Sequence, residues 1–529
     1  MQQAVEIRGK AASEGIFTGP VVALGDISLV HRLAGDPDIE TAELAKAIKT
    51  AIHSIRALQN GNEGEAADIL EFQIAMLEDP KLRDQAIFDI ARGASAPTAW
   101  WVALEHEITG YANSAEEVFS ARAADLRDIR DRVLRALSGE ATTIFQQGSI
   151  LVGDDLPPSL FLETDWSKGG AIALRNGSAS SHVAMLARSR GVPMVTGLGQ
   201  DWPENCALAI VDGTAGLVFA APPAELIAAY EVRKAAETEN RDADDAFLLR
   251  PAKLRDGRPI DVRVNIASVE ELQYIDPASC DGIGLVRSEF LFGDGAALPS
   301  EDEQYTAYRN ILQWAKGKPV TIRTLDAGGD KPLRGLTTEE SNNRFLGLRG
   351  IRLTLSRPDV FCVQLRALAR AAIEGNLKIM LPMVGQPAEL EQAAQLLDQC
   401  VGQLQRSGTP CAKPPLGIMI EVPAAAICPE LFADAAFFSI GTNDLTQFVT
   451  AASREDVSNS HPLDTVHPAV IRLIKNVAAF GRENEIPLSV CGDMASKAQH
   501  LPLLVEAGIT SLSVSPAALS RVKAALSHI

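Results

Sequence analysis

The chain contains no run approaching the roughly 18 consecutive apolar residues of a membrane span. Its first residues, MQQAVEIRGKAA, also lack the apolar core of an export signal. Neither membrane insertion nor export is expected, so the expected compartment is the cytoplasm. Cysteine is scarce: seven residues, at 206, 280, 362, 400, 411, 428 and 491, form an odd set with no Cys-x-x-Cys pair. This argues against a disulfide framework and a thiolate zinc site, and six of the seven read as small core hydrophobes. Positive charge is short too, with 49 Lys and Arg against 68 Asp and Glu, a formal net charge of −19. Spread along the chain, that excess offers no basic face to nucleic acid. It would instead steer a basic protein partner.

What is present describes an ordinary globular protein, 46% hydrophobic and 22% charged, and its 529 residues imply about three or four domains. One stretch stands out, GSASSHVAMLARSRGVP at 177–193. Small residues precede His182 and an apolar, helix-forming run follows it, which puts the imidazole at a turn opening into a helix. Helix N-terminal amides attract anions, small residues permit close backbone approach, and imidazole is a competent nucleophile.

The texture changes along the chain. Residues 4–25 alternate weakly and carry a strand candidate at Val21-Val22-Ala23-Leu24. From about Asp38 to Gly139 the period is helical: Leu44, Ile48, Ile52, Ile55 and Leu58 trace one face, and Leu70, Ile74 and Leu77 trace another before Asp79-Pro80. This predicts three to five helices, a bundle that is either structural or a docking platform for a protein. Short apolar runs return at 150–152, 171–174, 194–195, 208–211 and 217–218. The helical block therefore interrupts an α/β domain. The expected boundaries are 1–30 with 143–222 for that domain, 31–142 for the helical insert, 223–248 for a polar connecting helix, and 249–529 for the remainder.

That remainder holds eight short β-prone runs, at 260–266, 282–286, 319–325, 378–384, 416–422, 437–442, 488–492 and 511–515, most separated by helical stretches. Eight such units predict a (β/α)8 barrel, whose chemistry sits where strands end. Those ends carry Arg287, Glu289, Arg323, Asp326, Glu421, Asn443, Asp444, Cys491 and Asp493. Packing would demand apolar residues there. Arg287, Arg323, Arg349, Arg454 and Lys331 form a cationic set suited to a small polyanion carrying phosphate or carboxylate. Glu421 and Asp444 supply two hard oxygen ligands, few enough that Mg2+ or Mn2+ would keep open positions for substrate. Cys491, with an ordinary thiol pKa of about 8.5, is protonated near neutrality and suited to give a proton to an enolate. No barrel strand end offers a phosphoryl acceptor. His182, in another domain, does, which implies a swivelling enzyme.

The motifs GSASSHVAMLARSRGVP, GIGLVRSEFLF, RTLDAGGDKP, NRFLGLRGIR, GIMIEVPAAA, FFSIGTNDLTQF and VCGDMA are similar to those of the phosphoenolpyruvate-utilising family, and within it to the enzyme I proteins of the bacterial sugar phosphotransferase system. The helical block, through FQIAMLEDPKL and ARAADLRDIRDRVLRAL, resembles their docking domain for the phosphocarrier HPr. The resemblance implies phosphorylation of His182 at Nε2 and binding of phosphoenolpyruvate by Arg287 and Arg323, with Asn443, Asp444 and Arg454 also in contact. It implies Mg2+ on Glu421 and Asp444, protonation of the enolate by Cys491 as pyruvate forms, an HPr-like carrier as acceptor, and a homodimer through the barrel. Departures from the family pattern are Ser178, Ala179 and Asp493. A dikinase or synthase relative would need an ATP-binding domain for which no spare length exists. A regulatory phosphoenolpyruvate sensor would need neither nucleophile nor proton donor. The choice among sugar, dihydroxyacetone and nitrogen-linked branches stays open.

Overall fold

The computed structural model describes residues 5–25, 32–61, 65–112, 117–139, 145–177, 181–199, 202–203, 206–292, 298–328, 336, 347–452 and 466–529. The chain forms two compact units, Met1–Thr238 and Glu239–Ile529.

In the first unit, β1 (Val5–Arg8), β2 (Lys10–Ser13) and β3 (Ile16–Ala23) precede five helices among the described residues, α1 (Pro37–Gln59), α2 (Glu65–Glu78), α3 (Pro80–Ala91), α4 (Ala96–Ala112) and α5 (Glu117–Ser138). After them come β4 (Ile150–Gly153), α6 (Pro158–Glu163), β5 (Ala171–Leu174), α7 (His182–Arg190), β6 (Met194–Thr196), β7 (Leu208–Asp212) and β8 (Leu217–Ala220). All eight strands join one sheet, ordered β1-β8-β7-β3-β4-β5-β6-β2. Strands from both sides of the helical block thus share hydrogen bonds, so the block is an insertion in the α/β fold. Local chemistry starts two of these helices. Asp36 caps α1 by accepting from the Asp38 amide at 2.9 Å, with Pro37 at the first position, and Asp79 does the same for α3. Leu44, Ile48, Ala51 and Ile55 then bury one stripe of α1 in a core shared with α4 and α5. The strand forecast at Val21–Leu24 is longer than expected, and β1 and β2 were not foreseen because their exposed residues blur the alternation.

The connecting helix α8 (Ala224–Asp245) buries none of its residues. Its first turns rest Leu226, Ile227 and Tyr230 on Ile16, Ile210 and Phe219, and Arg233 bonds the fully buried Asp212 at 2.6 Å.

The second unit is a closed parallel barrel of β9 (Asp261–Ile266), β10 (Ile283–Arg287), β11 (Val320–Arg323), β12 (Leu377–Leu381), β13 (Leu416–Ile420), β14 (Phe438–Ile440), β15 (Leu488–Val490) and β16 (Ser511–Val514). Helices α9 (Glu301–Ala315), α10 (Ile351–Ser356), α11 (Pro358–Ala371), α12 (Pro387–Arg406), α13 (Pro423–Ile427), α14 (Thr442–Thr450), α15 (Pro468–Glu483), α16 (Leu501–Glu506) and α17 (Leu519–Leu526) surround it. Strand alternation divides the barrel into a shell and a lumen. On β9, Val262, Val264 and Ile266 pack outward into the large helix-and-strand core. Asn265 points inward, its side-chain amide donating across the lumen to the Cys491 and Ser513 carbonyls at 3.1 Å. Leu285, Met380, Met419, Phe437 and Cys491 form a separate apolar plug inside the lumen. Each large shell residue removed from water contributes about 1.5–3 kcal/mol. The shell therefore holds the barrel while the strand ends stay available for polar groups.

Cysteine placement differs in part from expectation. Cys280 and Cys400 are buried, whereas Cys206, Cys362, Cys411 and Cys428 are only partly so, because they lie on helix flanks and loops.

Candidate active site

His182 is the first residue of α7, and Ser181 caps that helix by accepting from the Ala184 amide at 3.2 Å. Val183, Ala184, Leu186 and Ala187 bury the inner face of α7, and Gly191 ends it in the left-handed region. These contacts fix the ring at the helix start with its side chain 32% exposed. Nδ1 lies 3.6 Å from Oδ2 of Asp125, a carboxylate on α5 that is 1% exposed. Burial pushes the Asp125 carboxyl above its ordinary range despite the favourable imidazole, with Asp128 adding to the rise. Behind it, Asp128 accepts from the Ser159 hydroxyl at 2.6 Å, and Arg132 donates to Ser159 and Glu163 at 2.7 Å. A buried polar web thus ties α5 to α6 beneath the histidine. With Nδ1 turned toward Asp125, Nε2 is on the far side of the ring, where an imidazole nucleophile would act.

At the barrel mouth the strand ends bring together most of the residues expected there. Arg287 and Arg323 are register partners on β10 and β11; Arg287 is exposed and Arg323 buried. Arg323 reaches Glu289 at 2.8 Å and Asp326 at 3.2 Å. Arg349 bonds Asp326 at 3.0 Å and Asp444 at 3.2 Å. The arginines are therefore prearranged by carboxylates. Asp326 is the hinge of this web, and its amide donates to Glu289 at 2.9 Å. Gln364 supports it from α11, accepting from the Leu325 amide and donating to Ser288, both at 3.0 Å.

Glu421 follows β13, fully enclosed, and accepts from the Met383 amide at 2.7 Å. Met383 presents that amide from a left-handed backbone, φ +59°, a strained conformation for methionine. Burial, then the nearby Asp444 and Asp326, drives the Glu421 carboxyl well above its ordinary range. A divalent cation would reverse that penalty by supplying the missing positive charge. Among the described residues no three His, Cys, Asp or Glu side chains converge as a full metal cage. Glu421 and Asp444 nonetheless fit a hard cation that keeps open positions for substrate oxygens. Buried Arg323 Nε, Glu289 Oε2 and Thr442 Oγ1 have no hydrogen-bond partner among the described residues. Unpaired buried polar atoms at one strand-end cluster point to a polar ligand.

Cys491 follows β15 directly and is only 4% exposed, and burial pushes its thiol up to about 11. It is thus protonated at neutral pH, which a proton donor requires. The thiol lies 3.6 Å from the Ile440 carbonyl. Asp493 is exposed, and its backbone amide donates to Asn443 Oδ1 at 2.8 Å. Gly492 is required here: a Cβ would sit 1.9 Å from Thr442 Oγ1. That close approach seats the start of α14, with Asn443 and Asp444, beside the thiol.

Lys331, Arg454, Ser178 and Ala179 lie outside the described residues. Sequence reading missed Asp125, Met383 and Gln364. Asp125 sits in a charge-rich helix whose period gives no sign of a histidine 57 positions later. Met383 acts only through its backbone.

Comparison with known proteins fits this geometry. The chain matches the PEP-utilising enzyme, PEP-binding domain over residues 241–529, the N-terminal domain of PEP-utilising enzymes over 8–122, and their mobile domain over 145–216. It is 34% identical to the phosphoenolpyruvate-protein phosphotransferase of Staphylococcus carnosus (strain TM300), over 98% of this chain and 93% of that protein. With the phosphoenolpyruvate-protein phosphotransferase of Geobacillus stearothermophilus the identity is 35%, over 99% and 93% respectively. A multiphosphoryl transfer protein of Rhodobacter capsulatus is 36% identical over 97% of this chain and 64% of that protein. The chain belongs to the PEP-utilising enzyme family.

Proposed function

We propose that the chain is a phosphoenolpyruvate-protein phosphotransferase, moving phosphoryl from phosphoenolpyruvate to its own His182 and on to an HPr-like histidine carrier while releasing pyruvate. One observation carries this reading. A chain alignable over nearly its whole length with phosphotransferases holds both an imidazole at a helix start and a protonated, buried thiol at a carboxylate- and arginine-lined barrel mouth.

In this reading Arg287 and Arg323 bind the phosphate, with Arg349, Lys331, Arg454 and Asn443 completing the substrate contacts. Glu421 and Asp444 would hold Mg2+, or Mn2+, which supplies charge neutralisation at the phosphate. Nε2 of His182 attacks phosphorus in line as the bridging P–O bond breaks, leaving the enolate of pyruvate. Cys491 then gives its proton to C3. Asp125 holds Nδ1, so that Nε2 stays the attacking atom. The proposed route has the α/β domain that carries His182 swivel between the barrel and the carrier. We assign residues 1–30 and 143–222 to that swivelling phosphohistidine domain, 31–142 to carrier docking, 223–248 to the linker helix and 249–529 to the barrel. A cytoplasmic homodimer associated through the barrel completes the proposal, supported by family resemblance alone.

The test is pyruvate release from phosphoenolpyruvate in the presence of each candidate carrier. Turnover that requires Mg2+ or Mn2+, stops with EDTA and discharges one carrier preferentially is expected. Pyruvate release that is indifferent to divalent cation and to every histidine carrier would overturn it.

A further inference from the structure

At the strand-start end of the barrel, below the apolar plug, the lumen is polar and holds more positive than negative charge. Strand alternation decides which side chains face it. Val262, Val264, Leu377, Ile379, Leu512 and Val514 belong to the outer shell. Between them, Asp261 and Arg263 on β9, Lys378 on β12 and Ser511 on β16 point inward. Arg263 precedes the inward Asn265 along its strand, and Lys378 precedes the plug residue Met380. Both cations therefore lie on the far side of the plug from Arg287 and Arg323. Around the closed barrel β9 and β12 are separated by β10 and β11, and the interior of an eight-stranded barrel is only wide enough for side chains to fill. Arg263 and Lys378 thus face one another across the lumen, with Thr321 beside Lys378 as its register partner and Ser511 beside β9 as that of Asp261.

The donors of this pair are largely unused. Asp261 accepts one N–H of Arg263, from Nη2, and the Ser511 hydroxyl at 3.4 Å. Arg263 Nε is buried and donates to no described residue. The Lys378 ammonium makes no hydrogen bond or ion pair among the described residues; Nζ instead lies over the Phe437 ring, 5.4 Å from its centroid. One carboxylate thus faces two cations. Burial, and then the like charge of Arg263, lowers the Lys378 ammonium below its ordinary range. Packing needs no such arrangement, because an ammonium without a partner is costly to bury and an apolar residue would avoid the cost. A bound anion removes it as well. Arg263 and Lys378 are both partly exposed, so an ion can reach them from the lower end.

We propose that the lower lumen binds a phosphate-sized oxyanion between Arg263 and Lys378, with the Thr321 and Ser511 hydroxyls as further donors. The guanidinium fork and the ammonium supply charge-assisted hydrogen bonds from opposite walls. The site is separate from the strand-end cluster and does not depend on the phosphotransferase reading.

The test titrates the full chain with inorganic phosphate by calorimetry at fixed ionic strength. Lys378→Met should weaken one phosphate equivalent about tenfold or more, the loss of one charge-assisted hydrogen bond. Lys378→Arg, which keeps the charge, should bind that equivalent to within a few-fold of the parent. Arg287→Met, at the opposite mouth, should leave it unchanged. Should Lys378→Met fail to fold, crystals of the parent soaked in tungstate provide the reading: anomalous scattering between Arg263 and Lys378 is expected. Phosphate binding unaltered by Lys378→Met, binding abolished by Arg287→Met alone, or tungstate found only at the mouth would overturn the site. Each of those results leaves the roles of His182 and Cys491 untouched, so failure here is distinct from failure of the phosphotransferase reading.

Discussion

Cys491 and Asp125 are each shaped by burial, with opposite uses. Burial keeps the thiol protonated, its titration pushed up to about 11, so it is loaded before substrate arrives. Cys491→Ala should slow pyruvate formation by about 10²–10⁴-fold, the usual span of a general acid, yet leave phosphoryl exchange between phosphorylated enzyme and carrier largely intact. Rapid-quench pyruvate assays beside carrier-labelling assays separate the two steps. For Asp125, burial raises the folded-state titration above the ordinary 3.8. The sign follows from linkage: the unfolded chain ionises this group first, so its ionisation weakens the fold as pH rises from about 3.8 through the raised value. Asp125→Asn should therefore be more stable than the parent at about pH 8, with the difference fading toward about pH 4 in denaturant titrations. The same variant should label His182 more slowly, because an amide cannot hold Nδ1 as a carboxylate does. None of this could be read from the residues around Asp125. Its partner is distant in sequence, and helical periodicity reports only which face is inward.

At the level of elements, the barrel was the most legible part of the chain. Each strand falls within or one residue beside its apolar run, for example β9 at Asp261–Ile266 within 260–266 and β12 at Leu377–Leu381 against 378–384. Runs overshoot at the C-terminal end because chain leaving the barrel there, such as Thr324 and Leu325 after β11, remains buried. The polar strand ends were legible for the opposite reason, since packing alone would not place them there. What sequence could not give was their mutual pairing: Arg323 and Arg349 arrive already bound to Glu289, Asp326 and Asp444. Nor did it signal the tight seat of α14 on Gly492. Gly492→Ala should cost about 1–3 kcal/mol, as overpacking does, read as a lower denaturant midpoint. Substrate affinity should weaken too, as the added methyl displaces Thr442 and with it Asn443 and Asp444.

For the whole molecule, a net charge of −19 and two compact units set how partners meet. Attraction of a basic carrier is screened as the Debye length shrinks from about 10 Å at 0.1 M salt to about 3 Å at 1 M. Transfer to the carrier should therefore slow with added salt through association rather than chemistry. Stopped-flow measurement should find kcat/KM for carrier falling while the first-turnover rate of pyruvate formation holds. The most direct measurement remains the fate of the phosphoryl group itself. Incubation with labelled phosphoenolpyruvate and Mg2+, followed by mapping of acid-labile phosphate, should place the label on Nε2 of His182 and nowhere in His182→Ala. Label on another residue, or label that persists in His182→Ala, would contradict the account.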